Sequence, residues 1–113
     1  MAALAAVGLF AAGLAWLLEI PHPPPRASHD ERLYYRYCVA CHGENGRGSW
    51  RAALFLLRPR DLTDPSVRAR PDQSLFDIIK FGGAPVGRPG MPAFGSTLDD
   101  ADIAALVHYL RRL

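Results

Sequence analysis

The chain has 113 residues, half of them hydrophobic, and a formal net charge of +2. That length suits one domain, and so small and dispersed a charge gives no case for nucleic-acid binding. Lys80 is the only lysine among thirteen basic side chains, so the positive charge is almost all arginine.

Residues 1–18 carry no charged side chain and are rich in Ala, Leu and Gly. As a helix, 18 residues span about 27 Å, close to the hydrocarbon thickness of a bilayer. A cleaved signal peptide would show a basic n-region and an Ala-x-Ala-like cleavage site. No Lys or Arg precedes Pro21, and no such site follows the apolar run. The segment is therefore expected to be a retained transmembrane anchor, with Trp16 at the interface near its outer end. Arg26, the nearest basic residue, lies on the outer side, against the usual inside bias of basic residues. Residues 19–27 hold four prolines and are expected to form an extended linker. Such a linker would lift the following domain roughly 20–25 Å from the membrane.

The globular part, residues 28–113, opens on Ser28-His29-Asp30-Glu31, which has the form of a capping box: Ser28 accepting from the Glu31 amide, Glu31 reaching back. Leu33, Tyr34 and Tyr37 continue at helical spacing toward the cysteines. Gly43, Gly46 and Gly48 end that helix and open a loop. Residues 49–60 show no firm pattern. Thr63-Asp64-Pro65 resembles a short helix start, with Pro65 in the first turn. Asp72 is expected to cap a helix through Leu75, Ile78 and Ile79, closed by Gly82-Gly83. A Gly/Pro-rich loop containing Met91 follows. The last helix is expected from Thr97, with Ile103, Leu106, Val107 and Leu110 as its buried stripe. Arg111 and Arg112 sit at its C-terminal end, where the helix dipole favours cations. No strand is expected.

The chemistry lies in Cys38-Val39-Ala40-Cys41-His42. A zinc site needs about four ligands, and the chain has no second Cys pair or His-x-x-x-His. A redox dithiol would follow a strand in a βαβ unit. Cys-x-x-Cys-His is instead the covalent haem-attachment pentapeptide. Two thiols on one helical turn can each add to a haem vinyl group, and the adjacent imidazole is then held beneath the iron. Met91, between Pro89-Gly90 and Pro92, is the only methionine besides Met1; its stiff loop presents the side chain, as a candidate second axial ligand or as a loop methionine packed in a core. His108 is the rival, but it is offset from the buried stripe of the last helix. Arg47, Trp50 and Arg51 could bond haem propionates, or be a solvated arginine pair beside a packed tryptophan. His22 reads as a solvated linker residue. Arg58, Arg60, Arg68 and Arg70 bias the middle of the chain positive, as a docking face for an acidic partner would.

From about Leu33 to Leu113 the sequence resembles the class I cytochrome c family. Tyr34 lies four residues before the first cysteine, Cys38–Gly43 is similar to the attachment site, and Gly90-Met91-Pro92-Ala93-Phe94 to the distal methionine loop. Leu98–Leu113 is similar to the closing helix. The resemblance implies an all-α class I cytochrome c fold with one covalent haem c. It implies His42 as proximal and Met91 as distal ligand, Pro59 presenting a carbonyl to His42, and Tyr109 packed on the first helix. Asp30 or Glu31 replaces the small residue often found early in that helix. The expected function is one-electron transfer by a membrane-anchored carrier rather than an enzyme, within a larger respiratory or photosynthetic complex. Membrane-embedded subunits, redox donor and acceptor proteins and the lipid bilayer are its expected partners. The haem domain is expected on the periplasmic side of the cytoplasmic membrane. The alternative is a haem peroxidase or gas sensor with a displaceable distal ligand.

Overall fold

Every regular element of the computed structural model, which describes residues 1–113, is a helix. In chain order these are α1 (Ala2–Leu18), α2 (His29–Tyr37), α3 (Val39–His42), α4 (Trp50–Leu54), α5 (Pro65–Arg68), α6 (Asp72–Phe81), a 3₁₀ turn (Ala84–Val86) and α7 (Asp100–Leu110).

The apolar segment does form a helix, and none of its residues is buried. Its 17 residues amount to about 26 Å. No helix of the chain is long and apolar enough to cross a membrane, so the expected transmembrane span is corrected to an apolar helix just short of that length. The linker also behaves differently from a spacer. Arg51 Nη2 donates to the carbonyl of Glu19, and Arg32 Nη1 donates to that of Ala27. Both ends of the linker are thus tied to the globular domain, and Ala27 is buried. The domain sits against the end of α1 rather than a linker's length away.

The core lies where α2 crosses α7 and α6 packs beside them. Tyr34 and Ile103 are fully enclosed, with Leu106, Val39, Leu75 and Ile79 around them. Tyr34 and Tyr109 stack with ring centroids 4.8 Å apart, so Tyr109 packs on the first globular helix as expected. The stripe of α7 buries Ile103, Leu106 and Val107, with Leu110 half-buried. Only 17 of the 113 residues are buried, a core too thin to carry the domain without a further apolar partner.

Three caps differ from expectation. The Ser28 side chain accepts nothing from the helix; its hydroxyl donates to Asp30, and Asp30 Oδ1 accepts the Glu31 amide at 2.9 Å. Asp72 does not cap α6, because its carboxylate receives the Arg111 guanidinium at 2.7 and 2.9 Å. The last helix starts at Asp100, with Asp99 accepting from the Asp102 amide at 2.8 Å, rather than at Thr97. Asp64 caps α5 with Pro65 in its first turn, as expected. Residues 49–60 contain a helix after all, α4, capped by the Ser49 side chain.

The C-terminal arginines work through named partners. Arg111 also donates to the carbonyls of Arg68 and Arg70, at 2.9 and 2.6 Å, and clamps the α5–α6 connection to α7. Arg112 reaches Asp30 at 3.0 Å, and His108 Nδ1 lies 3.3 Å from the same carboxylate. Asp30 is nearly enclosed, and burial alone would raise its pKa. The Ser28 hydroxyl, His108, the Glu31 amide and Arg112 outweigh that and hold it at about 2. A carboxylate depressed from its ordinary value of about 3.9 adds stability above pH 4 that is lost as pH falls toward 2. Asp30→Asn is therefore expected to cost about 2 kcal/mol at pH 7. In denaturant titrations of the holoprotein, the gap between parent and variant should close by about pH 2.

Candidate haem site

Cys38, Cys41 and His42 occupy one turn at the start of the globular domain. The Cys38 carbonyl accepts from the amides of Cys41 and His42 at 3.2 and 2.9 Å. The carbonyls of Cys41 and His42 accept from Ser49 and Gly48 at 2.9 and 2.8 Å, which turns the chain back beneath the motif. Gly43 ends the turn at φ 74°, and a Cβ there would stand 2.6 Å from the Gly48 carbonyl oxygen. Only glycine fits such an approach in that conformation. The buried Tyr34 hydroxyl donates to the Gly43 carbonyl at 2.7 Å, so the first helix holds the motif's exit as well as its entrance. Burial, with Cys38 and the neighbouring tyrosines, pushes the Tyr34 hydroxyl well above its ordinary pKa and keeps it a donor.

The two cysteines are unpaired. Burial, and then the neighbouring Cys41, push the Cys38 thiol up to about 12. A redox dithiol requires the opposite, a thiol lowered toward neutrality. No cluster of three His, Cys, Asp or Glu side chains is gathered to hold a metal ion. Burial lowers the His42 imidazole, opposed by the nearby Arg60 backbone. Its Nδ1 is enclosed with no well-formed hydrogen bond. A buried Cys38 thiol with Cys41 on the same turn, beside a neutral imidazole with an orphaned nitrogen, fits a covalently attached haem. Such a ligand fixes its tautomer through the ring nitrogen turned away from the metal. The backbone group that acts on the His42 ring is that of Arg60, next to the expected Pro59; Pro59 itself lies over Gly48.

Met91 is half-buried against the same core as Cys38. Phe94, three residues on, meets Tyr37 edge to face at 5.8 Å and brings the methionine loop to the attachment helix. Gly83 anchors the loop, donating to the Met91 carbonyl at 3.0 Å and accepting from Arg88 at 2.8 Å. A Cβ on Gly83 would collide with the Arg88 carbonyl and lie 2.9 Å from Met91 Cβ. The sequence marked Gly82-Gly83 only as a helix stop; the role of Gly83 in seating Met91 depends on a contact eight residues away. His108 is apart from this site, largely exposed and turned to Asp30. Trp50 is exposed, and Arg51 lies over its ring at 4.7 Å while donating to Glu19, so both face the end of α1.

Residues 25–110 match the family described as cytochrome c oxidase, cbb3-type, subunit III. The chain is 33% identical over 87 residues to a cbb3-type cytochrome c oxidase subunit CcoP of Azospirillum brasilense, covering 77% of this chain and 28% of that protein. It is 32% identical over 95 residues to subunit FixP of Bradyrhizobium diazoefficiens, covering 80% and 30%. It is 34% identical over 86 residues to a gluconate 2-dehydrogenase cytochrome c subunit of Pantoea cypripedii, covering 70% and 18%. The chain thus spans less than a third of the length of each of these relatives. With its pentapeptide turn, its methionine loop and this match over most of its length, the chain belongs to the cbb3-type cytochrome c oxidase subunit III family and is a c-type cytochrome with covalently bound haem c.

Proposed function

We propose that the chain is a one-electron carrier within a membrane-bound respiratory complex, with a single haem held by Cys38 and Cys41 and ligated by His42 and Met91. The observation that carries this is the convergence of the pentapeptide turn and the Met91 loop on one core, through Tyr37–Phe94 and Gly83. The haem supplies reversible one-electron chemistry at its iron. The chain's own residues position and shield it. Tyr34 and the Gly48–Ser49 amides hold the attachment turn, Gly83 seats Met91, and Leu62, Phe76 and Phe94 contribute apolar surroundings. Filling both axial positions leaves no open iron for substrate, which favours a carrier over a peroxidase or gas sensor.

The relatives named above serve an oxidase and a dehydrogenase. A haem module is what such different hosts would share, so electron delivery is the role proposed for this chain. Its α1 is proposed to lie in the cytoplasmic membrane among helices of partner subunits, with the haem domain on the periplasmic face. A short apolar helix is accommodated in a bilayer by association. Gly8 and Ala12 share one face of α1, and nothing in the chain packs on Gly8. Gly8→Leu together with Ala12→Leu is expected to abolish co-purification of membrane subunits in mild detergent while leaving the haem content intact. Assembly unaffected by both changes would refute the packed-helix reading.

A further inference from the structure

The segment from Trp50 to Arg60 puts apolar side chains where a globular domain ordinarily hides them. Leu54, Phe55 and Leu56 are 62%, 71% and 91% exposed, and Trp50 beside them is half-exposed. Leu56 is the one non-glycine residue with positive φ, at 57°. The left-handed conformation is unfavourable for a branched side chain, and here it turns Leu56 outward. The residue after it behaves oppositely. Leu57 points into the domain, toward Gly90 in the methionine loop. Leu54, Phe55 and Leu56 are not members of the core cluster that holds Cys38 and Met91.

This tip adjoins α1. A groove of about 520 Å³ runs between the end of α1 and the start of α4, lined among others by Trp16, Glu19, Ile20, Glu44, Trp50 and Arg51. Arg51 donates to the Glu19 carbonyl within this lining. The exposed apolar surface of α1 therefore continues through Trp16 and Trp50 onto the tip, one helical turn further on. Glu19 and Glu44 lie at the groove, but the stretch that carries the tip has one sign of charge. Four arginines and no acidic residue lie between Glu44 and Asp61. Arg60 is partly engaged, donating to Ser66 near Asp64, and Arg47 lies near Asp61. Arg51 and Arg58 form no ion pair with a carboxylate.

We propose that residues 50–58 form a second membrane contact, with Leu54, Phe55 and Leu56 entering the headgroup layer and Arg58 meeting anionic lipid phosphates. Tryptophan at the boundary, a few bulky apolar side chains below it and cations beside them are the features of an interfacial surface. The domain would then lie on the bilayer instead of standing off it, with the haem site held close to the membrane plane. This rests on the proposed membrane location of α1, and the test separates the two.

The haem-loaded chain is reconstituted into phosphatidylcholine vesicles with and without phosphatidylglycerol. Nitroxide labels are placed singly through Leu9→Cys on α1, Phe55→Cys on the tip and Gln73→Cys on α6; Leu54→Cys replaces Phe55→Cys if that variant does not fold. In phosphatidylglycerol vesicles the tip label is expected to show a several-fold higher ratio of oxygen to aqueous nickel accessibility than the label at 73, and the α1 label a higher ratio still. The tip's protection is expected to fall in pure phosphatidylcholine. A label at 9 in lipid with the tip label matching 73 in both vesicle types overturns the surface contact and leaves the anchor standing. Water at both 9 and 55 overturns both. Tip protection that is equal in the two lipids, or that appears only when membrane subunits are added, overturns the anionic-lipid assignment, the latter in favour of a protein partner.

Discussion

Replacing Cys38 and Cys41 together by alanine is expected to give a chain with no covalent haem and no stable fold beyond Ser28. Each cysteine sits on the turn that Tyr34, Gly48 and Ser49 hold in place, so the loss of the thioether bonds would not be compensated from elsewhere. The buried core is small, and Val39 of the attachment turn belongs to it together with residues of α2, α5, α6 and α7. A cofactor joined covalently to that turn adds apolar contact which a domain of this size cannot supply from side chains. Acid–acetone extraction followed by absorption spectroscopy checks the first part; circular dichroism of the purified variant checks the second. Haem that resists extraction from the double variant would refute the attachment assignment. A variant that melts like the parent would refute the dependence of the fold on haem.

The second large effect is expected from Met91→Ala. Thioether ligation raises the potential of a haem relative to other axial sets, and axial ligands together set potentials over about 0.8 V. Removing Met91 should lower the midpoint potential by a sizeable part of that range and open the ferrous iron to carbon monoxide. His108 offers no ready replacement, being 70% exposed and engaged with Asp30 on the far edge of α7. Gly83→Val should reproduce much of the same phenotype without touching the ligand, because its side chain would displace the Arg88 carbonyl and the Met91 backbone that Gly83 now holds. Redox titration and a carbon monoxide difference spectrum read both variants. An unchanged potential and no carbon monoxide binding in Met91→Ala would assign the distal position to another residue.

Both effects follow from features legible in the sequence, because those features are local. Cys38 to His42 lie on one helical turn, so their spacing alone brings thiols and imidazole to one side. The stripe of Ile103, Leu106 and Val107 follows from helical period, and Gly82 ends α6 through its own backbone freedom, at φ 85°. Met91 stands out because prolines flank it. What the tertiary structure decided are pairings between distant residues. Arg51 meets Glu19 across 32 positions, Arg111 meets Asp72 across 39, and His108 meets Asp30 across 78. Asp72 looked like a cap because helix starts favour an acidic residue; an arginine arriving from α7 took its carboxylate instead. Asp30 looked like a misfit at a helix contact; Arg112, His108 and the hydroxyl of Ser28 make it a buried anchor. The proline linker read as a spacer because polyproline geometry is intrinsic to those residues, while its fastening at Glu19 and Ala27 depends on arginines beyond it. Propensity and periodicity act over one or two turns of chain, whereas the choice of partner for a charged side chain is made only when folding brings the candidates within a few ångströms of each other.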